Sequence, residues 1–492
     1  MEAREAWMRA VESRDARFDG WVTVGVTSTR IYCRPSCPTP VRPKRANMRF
    51  FPTPAAAQQA GFRSCKRCSP DATPGSPEWN RRDDLVARAM RGIEDGVVDR
   101  DGVGGLANEL AVSPRHLQRI LTEEVGTGPK SLARARRARA ARALIETTTL
   151  PFTNIAFATG FNSIRQFNHT MGEVFAASPT EMRRGRGRPG MREAGEWLSV
   201  NLPFRAPLAH KELLRWLSLH AIAGVEEVDG TTYRRSLRLD GGPAIAEVDL
   251  EAQDRSVLPA RFRLSSLSDL PRAINRMRRL LDLDADPAVI AGDLKDDSLM
   301  AGLMTATPGL RSPGEVDGID AAVRAVLHQQ VSLASAKAMA ARLVAAHGLK
   351  LENSVGRVKF VFPSAAQWAA LDPSELGLPK SRATAVVAVA TAIDQGQVDL
   401  SPWANRAEAE AALLAVKGIG PWTANVVAAK ALAAPDSFGA SDLALLRQAE
   451  RLGIPYSAGG LEEHADRWRP WRSYAMHHLW NLYLNELEGK PS

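Results

Sequence analysis

Apolar residues follow two different periods along this chain, and the change of period marks its parts. From Asp83 to about Arg184 the spacing is helical, with short turns and Arg-rich outer faces. From Glu196 to about Leu270 apolar and polar residues alternate, as in Ala244-Ile245-Ala246-Glu247-Val248-Asp249-Leu250, which predicts strands. Beyond that the pattern is helical again, Ala-rich and amphipathic. Before Asp71 the apolar runs are short and broken, predicting short strands and loops. Thr73-Pro74-Gly75-Ser76-Pro77 and the Arg/Gly-dense run from Arg183 to Pro189 predict linkers. No long internal repeat is seen, although two helix-turn-helix patterns lie in the second part.

These breaks predict four domains, residues 1–75, 83–186, 194–300 and 301–492. A length of 492 residues supports the division, being too great for one hydrophobic core. A 45% share of hydrophobic residues fits packed globular domains. Lys and Arg number 64 against 55 Asp and Glu, a net +9 that favours a polyanionic partner without separating nucleic acid from a membrane surface. The run from Ala383 to Ile393 is too short to cross a bilayer, and Met1 to Gly20 lacks a secretion-signal core. The expectation is a cytoplasmic chain with no membrane partner, where cysteines bind metal or react more often than they pair.

The cysteines are Cys33, Cys37, Cys65 and Cys68, a CxxxC pair and a CxxC pair separated by 27 residues. Two close pairs let two loops complete a tetrahedral zinc site, and four thiolates on one divalent ion leave a net charge of about −2. Spacing alone favours a structural zinc ribbon. The surrounding residues add more. Val24-Gly25-Val26-Thr27-Ser28-Thr29-Arg30-Ile31-Tyr32-Cys33-Arg34-Pro35-Ser36-Cys37-Pro38 resembles the amino-terminal domain of the Ada family. Asn47-Met48-Arg49-Phe50-Phe51 and Ala60-Gly61-Phe62-Arg63-Ser64-Cys65-Lys66-Arg67-Cys68 extend the match. The resemblance implies that Cys33 takes a methyl group from a DNA methylphosphotriester, with Cys37, Cys65 and Cys68 as zinc co-ligands. Arg30 stands where that family usually has Gly, and adds a candidate phosphate contact.

Gly104 to Leu110, the turn Ala111-Val112, and Ser113 to Leu121 read as two short helices, with Ser113 as N-cap and Pro114 at the first helical position. Ile155 to Phe161 followed by Asn162 to His169 repeats the arrangement. The pair resembles the AraC-type double helix-turn-helix. Arg115, His116, Gln118 and Arg119 then read DNA from the first recognition helix, and Ser163, Arg165, Gln166 and Asn168 from the second. Between them Arg134, Arg136, Arg137, Arg139 and Arg142 form a basic run expected to touch phosphates.

In Leu413-Leu414-Ala415-Val416-Lys417-Gly418-Ile419-Gly420-Pro421-Trp422-Thr423-Ala424, Gly418 and Gly420 allow a tight turn whose amides can hold a DNA phosphate. Asp442 follows 22 residues after Gly420, in Gly439-Ala440-Ser441-Asp442-Leu443-Ala444-Leu445. This resembles the helix-hairpin-helix glycosylases with their catalytic aspartate. Trp468-Arg469-Pro470-Trp471-Arg472-Ser473-Tyr474-Ala475 and Trp480 narrow the likeness to 3-methyladenine DNA glycosylase II, the AlkA type, from about Glu196 onward. For Asp442 alone a helix N-cap is the rival role.

Relatives that also nick the strand carry a Schiff-base lysine where this chain has Trp422, and Lys417 precedes the turn, so the resemblance implies a monofunctional enzyme. Trp422 and Trp480 are the candidate base-stacking residues and Trp471 a core residue. Gln329 and Gln330 match the region that fills the gap left by a flipped base, with Gln330 as the candidate wedge. Val426, Leu443 and Asn481 replace aromatics of some relatives, implying a less aromatic pocket.

The implied fold is multidomain and mainly α with α+β parts: an Ada-type zinc domain, an AraC-type double helix-turn-helix, an AlkA N-terminal-type domain and a helix-hairpin-helix glycosylase domain. The implied function is a response to DNA alkylation, with methylated Cys33 activating transcription and Asp442 serving base excision. Expected partners are alkylated and promoter duplex DNA and RNA polymerase, for a monomer holding one zinc ion. No cysteine remains for an O6-alkylguanine acceptor. Two rivals stay open: a transcription regulator whose glycosylase half only binds DNA, and a repair enzyme whose front half only tethers it.

Overall fold

The structure, a computed structural model, describes residues 2–72, 76, 78, 82–184, 197–251, 256–487 and 489. Most of the expected linker at 73–77 and residues 185–189 of the second linker lie outside them. The chain divides into two compact units. The first comprises Met1–Phe204, Leu239–Gly242 and Ser256–Asn275; the second comprises Arg205–Arg238, Pro243–Arg255 and Arg276–Ser492.

The first unit opens on a helix, α1 (Glu2–Ser13), where the sequence pattern predicted only strands and loops. Its charged residues interrupt the apolar run. Val11 nevertheless packs with Val24 and Met48, and Trp7 meets Phe50 at a ring distance of 5.6 Å. Strands β1 (Thr23–Val26), β2 (Ile31–Cys33), β3 (Met48–Phe51) and β4 (Arg63–Ser64) form a sheet of order β3-β1-β2-β4. β1 is antiparallel to β2 and β3, with Val24 opposite both Cys33 and Phe50; β4 joins parallel to β2, with Tyr32 opposite Ser64. Helix α2 (Pro54–Gln59) begins where the Thr53 side chain accepts from the Ala56 N–H and Pro54 presets the first turn. It packs Ala56 and Ala57 on Tyr32, Phe51 and Phe62.

Seven helices follow: α3 (Leu85–Glu94), α4 (Val97–Glu109), α5 (Pro114–Val125), α6 (Pro129–Thr147), α7 (Phe152–Ala158), α8 (Ile164–Phe175) and α9 (Pro179–Arg184). Gly102, at φ +72°, breaks α4 so that its last turns stand as the first helix of a helix-turn-helix. Ser113 caps α5 by accepting from the His116 N–H, and Ser163 caps α8 by accepting from the Gln166 N–H. Leu117, Leu121 and Val125 of α5, and Phe167, Met171 and Val174 of α8, are buried at helical spacing, which turns the intervening polar residues outward.

The alternating segment yields β5 (Trp197–Pro203), helix α10 (His210–His220), β6 (Glu226–Asp229), β7 (Thr232–Leu239), β8 (Gly242–Asp249) and β9 (Val257–Leu264). In the first unit β5 and β9 pair antiparallel from Trp197 opposite Arg263 to Pro203 opposite Val257. In the second, β6 and β7 form a hairpin with Asp229 opposite Thr232.

The second unit is otherwise mainly helical. Helix α11 (Leu270–Leu280) carries the chain into it, and its helices include α12 (Pro287–Leu294), α13 (Ser298–Ala306), α14 (Gly318–Leu327) and α15 (Leu333–His347). The hairpin β10 (Leu349–Val355) and β11 (Val358–Val361) interrupts what the sequence presented as continuous helix. Its strands alternate for only a few residues between Ala-rich helices, too briefly to stand out. Then come α16 (Ala365–Ala369), α17 (Lys380–Asp394), α18 (Arg406–Ala415), α19 (Pro421–Ala431), α20 (Leu443–Arg451), α21 (Ala458–Ala465) and α22 (Arg472–Leu487). One apolar core joins α14, α15, α17, α18 and α19 through residues such as Val326, Val344, Val386, Leu413 and Val427. A second joins α12, α13, α20 and α22 through Ile290, Met300, Leu445 and Leu479. No helix among the described residues is long and apolar enough to cross a membrane.

Candidate functional sites: a thiol cluster, two recognition helices and a tryptophan–carboxylate pocket

β2 ends on Cys33, and the turn after it brings back Cys37, whose N–H donates to the Arg34 carbonyl at 3.1 Å. β4 delivers Cys65, whose N–H donates to the Tyr32 carbonyl at 3.0 Å. Ser69, in the left-handed region at φ +44°, donates its N–H to the Cys65 carbonyl at 3.0 Å and closes the turn that holds Cys68. The four sulfurs lie within 4.8 Å of one another. A tetrahedral zinc with bonds of about 2.3 Å sets its sulfurs about 3.8 Å apart, so the donor set fits. Cys37 and Cys68 are buried, whereas Cys33 and Cys65 are half-buried.

A buried polar post supports the cluster. The Tyr32 hydroxyl donates to Asp71 at 2.7 Å, the Gln58 amide donates to Tyr32 at 2.8 Å, and the Ser64 hydroxyl takes the other Asp71 oxygen. Burial pushes the Tyr32 hydroxyl well above its ordinary range, which keeps it a donor. On the other side Asp19 accepts from the Ser36 N–H at 3.0 Å and lies 3.4 Å from the Arg34 guanidinium. Exposed Arg30, at φ +55°, sets its guanidinium 5.4 Å from the Phe62 ring centroid.

On α5, Arg115, Gln118 and Arg119 are exposed and His116 is half-buried. Arg119 is engaged by Glu123 at 2.9 Å and lies 3.2 Å from His116 Nδ1. On α8, Arg165, Gln166 and Asn168 are exposed. Ser163 is exposed too; its hydroxyl accepts the capping N–H of Gln166 and keeps its own O–H free to donate.

The third site is built around the turn between α18 and α19. Gly418 sits at φ +92°, and a Cβ there would meet the Ala385 Cβ at 2.6 Å, so only glycine fits. Gly420 is the N-cap of α19 and leaves its first amides directed outward. The Gln329 amide donates to the Gly418 carbonyl and the Thr423 hydroxyl, both at 3.0 Å. Gln330, next in the same loop, is exposed at φ +55°.

Asp442 caps α20, its Oδ1 accepting from the Ala444 and Leu445 N–H groups at 2.9 and 3.2 Å. The same carboxylate accepts the Trp422 indole N–H at 3.2 Å on Oδ2 and the Trp480 indole N–H at 3.3 Å on Oδ1. Trp480 stacks on Trp216 of α10, with centroids 5.4 Å apart and planes 28° from parallel. Trp216 stacks in turn on His220 at 3.9 Å.

Comparison with known proteins sorts these sites. Residues 6–71 match the metal binding domain of Ada, residues 106–185 a helix-turn-helix domain, and residues 199–317 the AlkA N-terminal domain. Across 491 residues the chain is 48% identical to the probable bifunctional transcriptional activator/DNA repair enzyme AlkA of Mycobacterium tuberculosis, an overlap of 99% of this chain and 98% of that one. The chain belongs to this Ada–AlkA fusion family. DNA-3-methyladenine glycosylase 2 of Escherichia coli is 31% identical over 284 residues, covering 57% of this chain and 95% of the relative. A solved 3-methyladenine DNA-glycosylase from Archaeoglobus fulgidus matches with a TM-score of 0.52 at 20% identity, covering 59% of this chain and 99% of that one, which shows the shared fold.

In this fusion protein the thiol cluster is a zinc-binding site. The structure brings Asp442, Trp422 and Trp480 into one constellation, and Gly418 and Gly420 into one turn beside Gln329. Trp471 is core, 5% exposed, with its indole donating to Asp293 at 2.8 Å. Asn481 is buried and engaged by Arg215.

The arginine run of α6 departs from its expected role. Arg136 is buried and pairs with Asp99 at 2.8 Å, Arg137 meets the same carboxylate at 2.5 Å, and Arg142 pairs with Glu146 at 2.8 Å. Arg134 and Arg139 engage Glu173 and Glu94. Counting acids within the run missed these partners, because Asp99, Glu94 and Glu173 come from α4, α3 and α8. Sequence reasoning also missed Trp216, although Trp216 and His220 stand one helical turn apart, as Trp480 does from His477.

Proposed function

We propose that the chain senses and repairs alkylated DNA through two separate chemistries. The first is methyl transfer to Cys33. Its sulfur attacks the methyl carbon of a DNA methylphosphotriester in line with the methyl–oxygen bond. A sulfur–carbon bond forms, the carbon–oxygen bond breaks, and its electron pair returns to phosphate as an ordinary phosphodiester anion. A bound zinc ion, one per chain, supplies a standing thiolate without a general base. The thioether product carries about one negative charge less, which weakens repulsion of DNA phosphate. Arg115, His116, Gln118, Arg119, Arg165, Gln166 and Asn168 then read promoter DNA, and RNA polymerase is the partner of the activated form. The protein acts in the cytoplasm as a monomer.

The second chemistry is hydrolysis of the N-glycosidic bond of an alkylated base such as 3-methyladenine. The amides near Gly418 and Gly420 hold a phosphate, Gln330 fills the gap, and the flipped base stacks on Trp422 and Trp480. As the bond from C1′ to nitrogen breaks, its electron pair leaves with the base, neutralising a cationic purine. Asp442 faces the positive sugar and orients water, whose addition at C1′ releases a proton. Trp422 at the Schiff-base position leaves no amine there, and the product is an intact abasic site.

The observation that carries the glycosylase reading is the Asp442 carboxylate held by two indole N–H groups beside the hairpin. Base release from methylated duplex by wild type and Asp442→Asn tests it; equal release by both would remove Asp442 from catalysis. For the methyl acceptor, mass spectrometry of cysteine peptides after incubation with methylphosphotriester DNA should place +14 Da, about one methylene, on Cys33. An unmodified Cys33 peptide would reject the assignment.

A further inference from the structure

Beside Trp480 lies a half-buried lysine amine that neither chemistry uses. Lys430, in the last turn of α19, places Nζ 4.6 Å from the Trp216 ring centroid and 5.6 Å from that of Trp480. Its polar contacts are the Pro313 carbonyl at 2.7 Å and His477 Nε2 at 2.8 Å. Among the described residues no carboxylate lies in ion-pair range of it. Trp480 donates its indole N–H to Asp442, so the amine stands one ring removed from the reacting centre.

We propose that Lys430 sets the charge preference of the base pocket: its ammonium, resting on the Trp216–Trp480 pair, opposes a cationic alkylated base and leaves a neutral damaged purine unaffected. The proposal rests on the glycosylase reading above. An indole attracts cations through its electron-rich face, and a cation already on the stack uses up that attraction. It also repels a second cation stacked on the same pair of rings.

Charged groups around the amine come from several elements. Glu315 precedes α14, Asp282 follows α11, and Arg324 lies on α14, the two carboxylates attracting the proton and Arg324 repelling it. His220 of α10 and His477 of α22 stay neutral, because burial pushes both well below the ordinary histidine range. Burial dominates at Lys430 and brings it down to about 7 from the lysine value of 10.5. The amine is thus charged below that point and neutral above it.

The full-length protein is tested by single-turnover release of 3-methyladenine, cationic in DNA, and hypoxanthine, neutral in DNA, between about pH 6 and 8. In wild type the ratio of the first rate to the second should rise about fivefold or more across this range. In Lys430→Met it should be flat with pH and no lower than the wild-type value at the alkaline end. A ratio cancels general losses from imperfect folding, and should Lys430→Met fail to fold, Lys430→Arg, charged throughout the range, should give a ratio that rises less with pH than that of wild type. A flat wild-type ratio overturns the proposal, as does an unchanged profile in Lys430→Met. Release of neither base by any of the proteins overturns the glycosylase reading, and this proposal with it.

Discussion

The Trp422 indole N–H donates to Asp442 at 3.2 Å, joining the second residue of α19 to the cap of α20. Together with Trp480 on the other oxygen, it fixes the carboxylate while leaving it half-exposed. Trp422→Phe keeps an aromatic face and removes one donor to a charged acceptor. Such a bond contributes about 1.5–3 kcal/mol. Base release should fall about tenfold or more, whereas Val426→Ala, outside this hydrogen-bonded group, should change it less. Single-turnover rates on methylated duplex measure both.

Asp442 has two duties that separate by substitution. Asparagine accepts the Ala444 and Leu445 amides as aspartate does but carries no charge. Asp442→Asn should therefore keep the cap, give up the Trp422 bond at Oδ2 and lose base release. Asp442→Ala loses the cap as well, and should be less stable by about 1 kcal/mol. Denaturant midpoints of the two variants, beside their excision rates, read the duties independently.

How much of this was legible in the sequence follows from how local each feature is. The Ser113 cap and the Gly418 turn depend on residues within one or two turns, and their types announce them; Ser163, read only as a DNA contact, caps α8 in the same way. Four cysteines announce a ligand set because nothing else needs that spacing. Asp442 was legible as cap or catalyst, and the structure shows its carboxylate capping α20 while accepting two indole N–H groups. Lys430, Trp216 and His477 were not legible as a group, because helices α10, α19 and α22 bring them together over more than two hundred residues of chain. The pairing of Arg134, Arg136, Arg137 and Arg139 was hidden for the same reason, since their acidic partners sit on other helices, whereas Glu146, the partner of Arg142, lies on α6 itself.

Gly418 offers a test of the hairpin. Alanine there would be strained at φ +92° and would press its Cβ on Ala385. A cost of about 1–3 kcal/mol is expected. Because the amides that follow would move, duplex affinity should fall in parallel, measured by fluorescence anisotropy on DNA carrying an abasic analogue. Gln329→Ala, which cuts the tie to Gly418 without backbone strain, should weaken binding with a smaller loss of stability.

The zinc site should stabilise the Ada-type part selectively. Chelation should lower the protection of amides in residues 2–72 while leaving α14 and α19 protected, as read by hydrogen exchange. Tyr32→Phe removes a buried donor from Asp71, which keeps Ser64 and Gln58. A loss of about 1–3 kcal/mol is expected, together with easier zinc release to a chelator.

Two arginines of the helical region should fail in opposite ways. Arg165 is exposed on the candidate recognition helix, while Arg136 is buried against Asp99 and also donates to the Glu94 carbonyl at 2.7 Å. Arg165→Ala should leave the melting temperature unchanged and weaken promoter DNA by about 1–3 kcal/mol, or lower the salt slope by about one if the contact is to phosphate. Arg136→Ala leaves Asp99 to Arg137 alone and opens a polar void, costing about 3 kcal/mol in stability. Its effect on DNA should appear only as a smaller fraction of folded protein. Equal melting temperatures for the two variants would contradict this placement of Arg136.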